Sequence, residues 1–206
     1  NMDTIEGALI EPLAVGFHAA NQGGARLGQK AVVMGAGCIG LMTLLALKAF
    51  GVTEVYVVDV MENRLAKAKE LGAAGIINGK EQDAVEELMR ATAGKGMDLC
   101  IDTAGSQITM NQCIGAAAKG AAVVFVGYSA QDQVSLDINN ALNKELTFKT
   151  VFRYRNLYPL AIEAVSQGLN VKGVVTDFFK FDDVRKAMDL SVSNKAEIVK
   201  AVLSLR

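Results

Sequence analysis

Short apolar runs, each closed by glycine or a polar cluster, alternate along this chain with longer segments whose apolar positions recur at helical spacing. Lys30–Met34 is rich in valine and shows no polar alternation, as expected of a strand buried on both faces. Residues 39–50 form an apolar stretch of about a dozen residues, the length of a core helix and too short to span a membrane. EVYVVD at 54–59 reads as a strand, and 62–71 as a helix with Lys and Arg on its outer face and Gly72 as its stop signal. A strand at 75–78, an amphipathic helix from 82 to about 92, a strand over 97–105, a helix over 107–118 and a strand over 121–127 continue the alternation. After a largely irregular segment, 146–153 reads as a sixth strand. This order predicts an α/β fold, a doubly wound Rossmann parallel sheet with strand order 3-2-1-4-5-6. Right-handed crossovers then place a ligand at the carboxyl ends of the strands, around 35–40, 103–105 and 126–128.

The flanks fit this pattern less well. Glu11-Pro12 suits a helix start, continued by Leu13, Val15, Phe17 and His18 and closed by the turn residues 21–24. His18 is the only histidine, and on an apolar helix it reads as a hydrogen-bonded core residue sooner than a ligand. Beyond 156 come a helix over 157–166, a strand over 174–180, a helix over 182–191 opened by Asp182 and Asp183, and a strand over 197–205. These last two strands alternate poorly and need another sheet to join.

The first strand runs into Gly35, Gly37 and Gly40, spaced G-x-G-x-x-G, and a helix follows. Gly35 permits the sharp turn out of the strand, Gly37 lets backbone N–H groups approach a pyrophosphate, and Gly40 lets the helix pack closely. The positive end of the helix dipole then faces the diphosphate. Asp59 ends the next strand, 19 residues beyond Gly40, where a carboxylate accepts hydrogen bonds from both adenine-ribose hydroxyls. The same charge repels a 2′-phosphate, so NAD is expected over NADP. A structural turn with a solvated Asp is the alternative, and the strand, helix, second strand and acid together favour the dinucleotide site.

With 206 residues, 51% of them hydrophobic, the chain can fill one core and some extra structure. A net charge of −1, no basic run and 6% aromatic residues argue against a nucleic-acid surface, and no stretch argues for a membrane. There is no secretory signal, and Cys38, Cys100 and Cys113 form no C-x-x-C pair, which suits reduced thiols in a cytoplasmic protein. Cys38, at a helix N-terminus, is either a thiol of lowered pKa or a small residue filling the turn. Asn1 before Met2 reads as an expression scar.

Three runs, GALIEPLAVGFHA, LGQKAVVMGAGCIG and VFRYRNLYPLAIE, together resemble the zinc-dependent medium-chain alcohol dehydrogenases. VFRY followed by N-x-Y-P-x-A-I resembles, more narrowly, the polyol branch of sorbitol (L-iditol) and xylitol dehydrogenases. The resemblance extends from Ile5 to the last strand. It implies a linker helix region from the catalytic domain at 1–28, a Rossmann NAD-binding domain at 29–153, and at 154–206 a segment that in the family completes the catalytic domain. The family's GroES-like domain lies upstream and carries the zinc ligands, a Cys and then a neighbouring His-Glu pair. Cys38, Cys100, Cys113 and His18 cannot stand in for these, or for the four-cysteine structural cluster of many relatives, by spacing. The expectation is therefore the cofactor-binding portion of a longer polyol dehydrogenase, inactive alone.

Residue by residue, the resemblance assigns Gly35, Gly37, Ile39 and Gly40 to the pyrophosphate and Asp59 to the adenine ribose. Arg64 resembles the family's adenosine-side contact, with a solvated helix arginine as the alternative. Val126, Gly127 and Tyr128, and Val151, Phe152 and Arg153, resemble the backbone segments that grip the nicotinamide amide, although Tyr128 departs from the usual aliphatic residue and Thr150 from a common glycine. Glu11 resembles the glutamate that ligates the catalytic zinc or holds its water; from its own context it is only a helix-start carboxylate. Arg153 and Tyr154 resemble substrate and zinc-water contacts, or form a surface ion-pair site. The implied reaction is reversible oxidation of a secondary alcohol of a polyol to a ketose, zinc lowering the alcohol pKa and hydride passing to NAD. A stand-alone dinucleotide sensor and a zinc-independent quinone reductase relative are the rivals. Glu11, Arg153 and Tyr154 argue against the first and Asp59 against the second. An S-adenosylmethionine site shares the glycine loop and acid but not the VFRY and EPL segments. The sixth strand, at a sheet edge, is expected to pair with a symmetry mate or be capped by the C-terminal segment.

Overall fold

In the computed structural model, residues 2–194 and 197–205 are described; Asn1 lies outside them. Six parallel strands form one sheet: β1 (Lys30–Met34), β2 (Glu54–Asp59), β3 (Gly75–Asn78), β4 (Met97–Asp102), β5 (Ala117–Phe125) and β6 (Thr147–Thr150), in the order β3-β2-β1-β4-β5-β6. The expected doubly wound order is thus observed. On β1 the period of two divides the side chains between two cores. Ala31 and Val33 face one, Val32 and Met34 the other, and all four are fully buried. Helices α1 (Thr4–Gln22), α2 (Cys38–Ala49), α3 (Glu62–Glu70) and α7 (Tyr158–Ser166) supply the first core, and α4 (Ala84–Ala91) and α5 (Gln107–Ala116) the second. Each Val, Leu or Met wholly buried here contributes on the order of 1.5–3 kcal/mol. Among the described residues no helix is long and apolar enough to cross a membrane.

Helix α1 begins at Thr4, seven residues before the expected start. Asp3 accepts from the Glu6 N–H at 2.8 Å while the Glu6 carboxylate accepts from the Asp3 N–H at 2.9 Å, a reciprocal cap. Pro12 therefore sits inside the helix, where it removes one backbone hydrogen bond. Burial of Leu9, Ile10, Leu13 and Phe17 around it offsets that loss. Gly16 lets α1 meet α2 at backbone distance, since a Cβ there would stand 2.6 Å from the Met42 carbonyl.

Several boundaries shift for local reasons. β4 ends at Asp102, not 105, because its carboxylate accepts from the Gly105 N–H at 3.0 Å and folds the chain into a turn. β5 ends at Phe125, since the Val126 and Gly127 N–H groups both turn to the Asp102 carbonyl at 2.8 and 3.1 Å. β5 starts at Ala117, not 121, and the register jumps from Met97–Ala117 to Leu99–Ala122 across a bulge. β6 is shorter than 146–153, giving way to a turn with Arg153 at φ 58° and Asn156 at φ 54°. The segment expected to be irregular contains α6 (Ile138–Asn143), capped by Asp137 and laced to α5 through Asn111 and Gln107.

In the C-terminal segment, β7 (Asp177–Lys180) and β8 (Ala201–Ser204) do not join the main sheet; they pair with one another in parallel, next to α8 (Val184–Ser193). Thr176 pins this pair, accepting from Val199 N–H at 3.1 Å through its hydroxyl oxygen.

Candidate functional site

The glycine turn between β1 and α2 is built by backbone geometry. Gly35 lies at φ 101°, in the region glycine favours, and its N–H donates to the Val58 carbonyl at 2.7 Å. Ala36 N–H then donates to Asp59 Oδ2 at 2.6 Å, while Asp59 Oδ1 accepts from Val60 and Met61 N–H at 2.7 and 2.9 Å. Three backbone donors thus hold the largely buried Asp59 carboxylate at the end of β2. A Cβ on Gly40 would collide with the Gly35 carbonyl and stand 3.0 Å from Thr103 Oγ1, so Gly40 seats the first turn of α2 against the glycine loop itself. Thr103 donates its hydroxyl to the Met34 carbonyl at 2.9 Å and ties β4 to the same loop. Gly37 differs from both: a Cβ there would meet only an Arg64 guanidinium nitrogen at 3.9 Å. It is the N-cap of α2, and no side chain caps that helix end.

These groups border a cavity of about 500 Å³ whose lining includes Gly35, Gly37, Asp59, Met61, Arg64, Thr103 and Ile108. Arg64 is half-buried and leans over the glycine loop, so it is not the freely solvated helix arginine of the alternative reading.

A second hollow of about 450 Å³ opens where β5 and β6 end, lined by Val15, Ile39, Thr103, Val126, Gly127, Tyr128, Val151, Phe152 and Arg153. Ile39 thus faces this side, away from the first cavity. Tyr128 and Phe152 border it as exposed residues, 80% and 67% accessible. Beneath it, burial pushes the Asp102 carboxyl up from its usual range, opposed by hydrogen bonds from Thr109, Gly105 and Ala104.

Glu11 is exposed on α1, and its charge acts on both the Cys38 thiol and the Tyr158 hydroxyl. Tyr158 stacks edge-on with Tyr154, ring centroids 4.8 Å apart. Burial raises the Cys38 pKa, with Lys200 opposing the effect and Glu11 adding to it, in the direction opposite to that expected of a thiol activated by the helix N-terminus. Burial likewise pushes Cys100 up to about 12. Tyr158, on α7, enters the sequence reading only within the N-x-Y-P-x-A-I run and Lys200, just before β8, not at all, because only the fold brings Tyr158 near Glu11 and Lys200 near Cys38. Arg153 lies with its guanidinium carbon 5.3 Å from the Phe152 ring centroid, and none of the ion pairs among the described residues includes it. His18 is buried as expected, yet its Nδ1 has no hydrogen-bond partner. Among the described residues no three His, Cys, Asp or Glu side chains converge to hold a metal, so this set does not by itself fit a zinc ion.

Comparison with known proteins gives a consistent picture. Residues 38–167 match the family model described as zinc-binding dehydrogenase. An uncharacterized zinc-type alcohol dehydrogenase-like protein of Escherichia coli is 45% identical over 206 residues, covering 100% of this chain and 59% of its own length. A sorbitol dehydrogenase of Bacillus subtilis is 35% identical over 199 residues, covering 96% of this chain and 56% of its own. A solved Escherichia coli structure, a short chain alcohol dehydrogenase complexed with NADH, superposes with a TM-score of 0.88 at 28% identity, over 96% of this chain and 58% of that one. The chain therefore spans less than two thirds of the length of these relatives.

Proposed function

The chain belongs to the zinc-binding dehydrogenase family, and from that premise we propose that it is the NAD(H)-binding portion of a polyol dehydrogenase. In this reading 29–153 is the Rossmann domain, while 1–28 and 154–206 belong with a catalytic domain. The whole enzyme oxidises a secondary alcohol of a sorbitol- or xylitol-like substrate to the ketose. The observation that carries this reading is the Asp59 carboxylate, fixed by three backbone N–H groups at the rim of a cavity of about 500 Å³ beside an uncapped helix N-terminus. A sorbitol dehydrogenase relative and the NADH-bound neighbour support the substrate class and the cofactor.

Each part of the chain then has a task. Gly35, Gly37 and Gly40 shape the loop that admits the pyrophosphate. Asp59 accepts from the adenine ribose, and Arg64 packs over the adenosine. Ile39 and the backbone at 126–128 and 151–153 orient the nicotinamide. Glu11, Arg153 and Tyr154 face the alcohol; Glu11 can contribute one carboxylate to a zinc whose remaining ligands lie elsewhere. The outer edge of β6 serves a second copy of the protein. NADH fluorescence tests the cofactor part: emission should rise saturably with the chain, and in Gly37→Ala saturation should need at least about tenfold more NADH. The 206 residues alone should not oxidise sorbitol or xylitol, and zinc-dependent activity from them would overturn the assignment.

A further inference from the structure

Next to the nicotinamide-side hollow, and sharing Phe152 and Arg153 with it, lies another cavity of about 440 Å³. His18, Thr150, Phe152, Arg153, Tyr154 and Arg155 line it. Its ionisable groups are two guanidiniums, an imidazole and a phenol, and no carboxylate belongs to the lining. The ion pairs among the described residues use Lys30, Lys67, Arg90 and Lys172, and none engages Arg153 or Arg155. Arg153 rests on the Phe152 ring, a partner that leaves its N–H donors unspent. His18 is 3% exposed, and its buried Nδ1 has no partner.

Arg153 and Arg155 are both exposed, so water screens their charges, and with no carboxylate in the lining their donors stay open to an anionic ligand. Burial and the nearby Arg155 charge both keep His18 neutral, which leaves the imidazole a ring nitrogen able to donate. Planar guanidinium forks match carboxylate and phosphate oxygens in pairs. A neutral polyol would satisfy the hydroxyl-binding needs of Arg153 but would leave the second arginine unmatched.

We propose that this cavity receives an anionic end of the substrate, a carboxylate or a phosphate monoester borne by the polyol, while the reacting alcohol lies in the adjoining hollow. The preferred substrate is then an acidic sugar alcohol rather than sorbitol itself. This rests on the reading of the adjoining hollow as the nicotinamide site. Arg155 is the residue that sets the preference, and Arg153, shared between the two hollows, joins the anionic end to the reacting end.

His18 is the only histidine, so its ring C–H signals are an isolated reporter in proton NMR. The NADH-loaded chain is titrated at matched ionic strength with gluconate, sorbitol 6-phosphate, sorbitol and sodium sulfate. One of the two anionic sugars should shift the His18 signals saturably and bind at least about tenfold tighter than sorbitol, as paired charged hydrogen bonds allow. Which of them does so separates carboxylate from phosphate. Arg155→Ala should lose about tenfold of that affinity and Arg155→Lys part of it, with NADH binding reporting that both variants remain folded. Sorbitol binding as tightly as the anionic sugars, sulfate binding as tightly as either, or no response with NADH bound would each overturn the proposal. The last result would fit a carboxylate of another polypeptide occupying the arginines. Failure of NADH to bind at all would instead strike the underlying reading, and this proposal with it.

Discussion

At the residue scale, the three glycines of the loop have separable reasons to be glycine. Gly35 is demanded by its backbone angle and Gly40 by contact with the Gly35 carbonyl, whereas among the described residues nothing crowds Gly37. Gly37→Ala should therefore cost under about 1 kcal/mol of stability while weakening NADH at least about tenfold, because only the pyrophosphate needs that space. Gly40→Ala should cost about 1–3 kcal/mol. Denaturant melts beside NADH titrations check both; a Gly37→Ala variant that binds NADH normally would remove the loop from the site. His18 gives a second prediction. Burial, then the Arg155 charge, depress its folded-state pKa below the unfolded value of 6.5. The unfolded chain then binds more protons, so this contribution to stability is full above pH 6.5 and is lost as pH falls through the window below it. His18→Gln should flatten that slope, and an imidazole midpoint at or above 6.5 by NMR would contradict the burial argument. Gly35, Gly37 and Asp59 were legible because their spacing is local. Thr103 was legible too, placed at the ligand edge by the strand topology, but the effects of Glu11 on Tyr158 and of Lys200 on Cys38 were not, since they exist only after elements distant in sequence come together.

At the element scale, the regular βα alternation announced the main strands, most clearly β1, β2 and β4, whose burial on both faces leaves apolar runs, while the more exposed β6 was expected longer than it is. Legibility failed where tertiary contacts overrode local signals. Pro12 looked like a helix start, yet the Asp3–Glu6 cap and the buried face around Phe17 carry α1 through it. Gly16 looked unremarkable but sets how closely α1 approaches α2, so Gly16→Val should cost at least about 1–3 kcal/mol through backbone overlap. Because α1 carries Val15 and His18 to two of the cavities, the same variant should also disturb binding there. Pairing of β7 with β8 could not be read because the two short strands are joined only through α8 and its flanks. A two-stranded parallel sheet is marginal by itself, and Phe178, Phe181, Met188 and Val192 remain exposed around it. Hydrogen exchange should find β7 and β8 amides opening far more readily than those of β1 and β4. Equal protection would mean that the C-terminal segment is as firmly integrated as the central sheet.

At the scale of the whole molecule, strand order follows from right-handed crossovers, and the cavities fall at the carboxyl ends of the strands, where that topology predicts them. The division of labour within the family enters because this chain spans 59% of one relative and 56% of another. The central claim is that this portion binds NAD(H) through Asp59. The most direct test is a pair of calorimetric titrations with NADH and NADPH, repeated on Asp59→Asn. The asparagine variant is preferable to alanine, because its one amide oxygen can still accept from the Val60 and Met61 N–H groups and only the Ala36 N–H loses its partner, whereas alanine would unpair all three. NADH should bind at least about tenfold tighter than NADPH, a gap of about 1.4 kcal/mol, and Asp59→Asn should narrow it. Equal or tighter binding of NADPH, or a preference unmoved by Asp59→Asn, would contradict the claim.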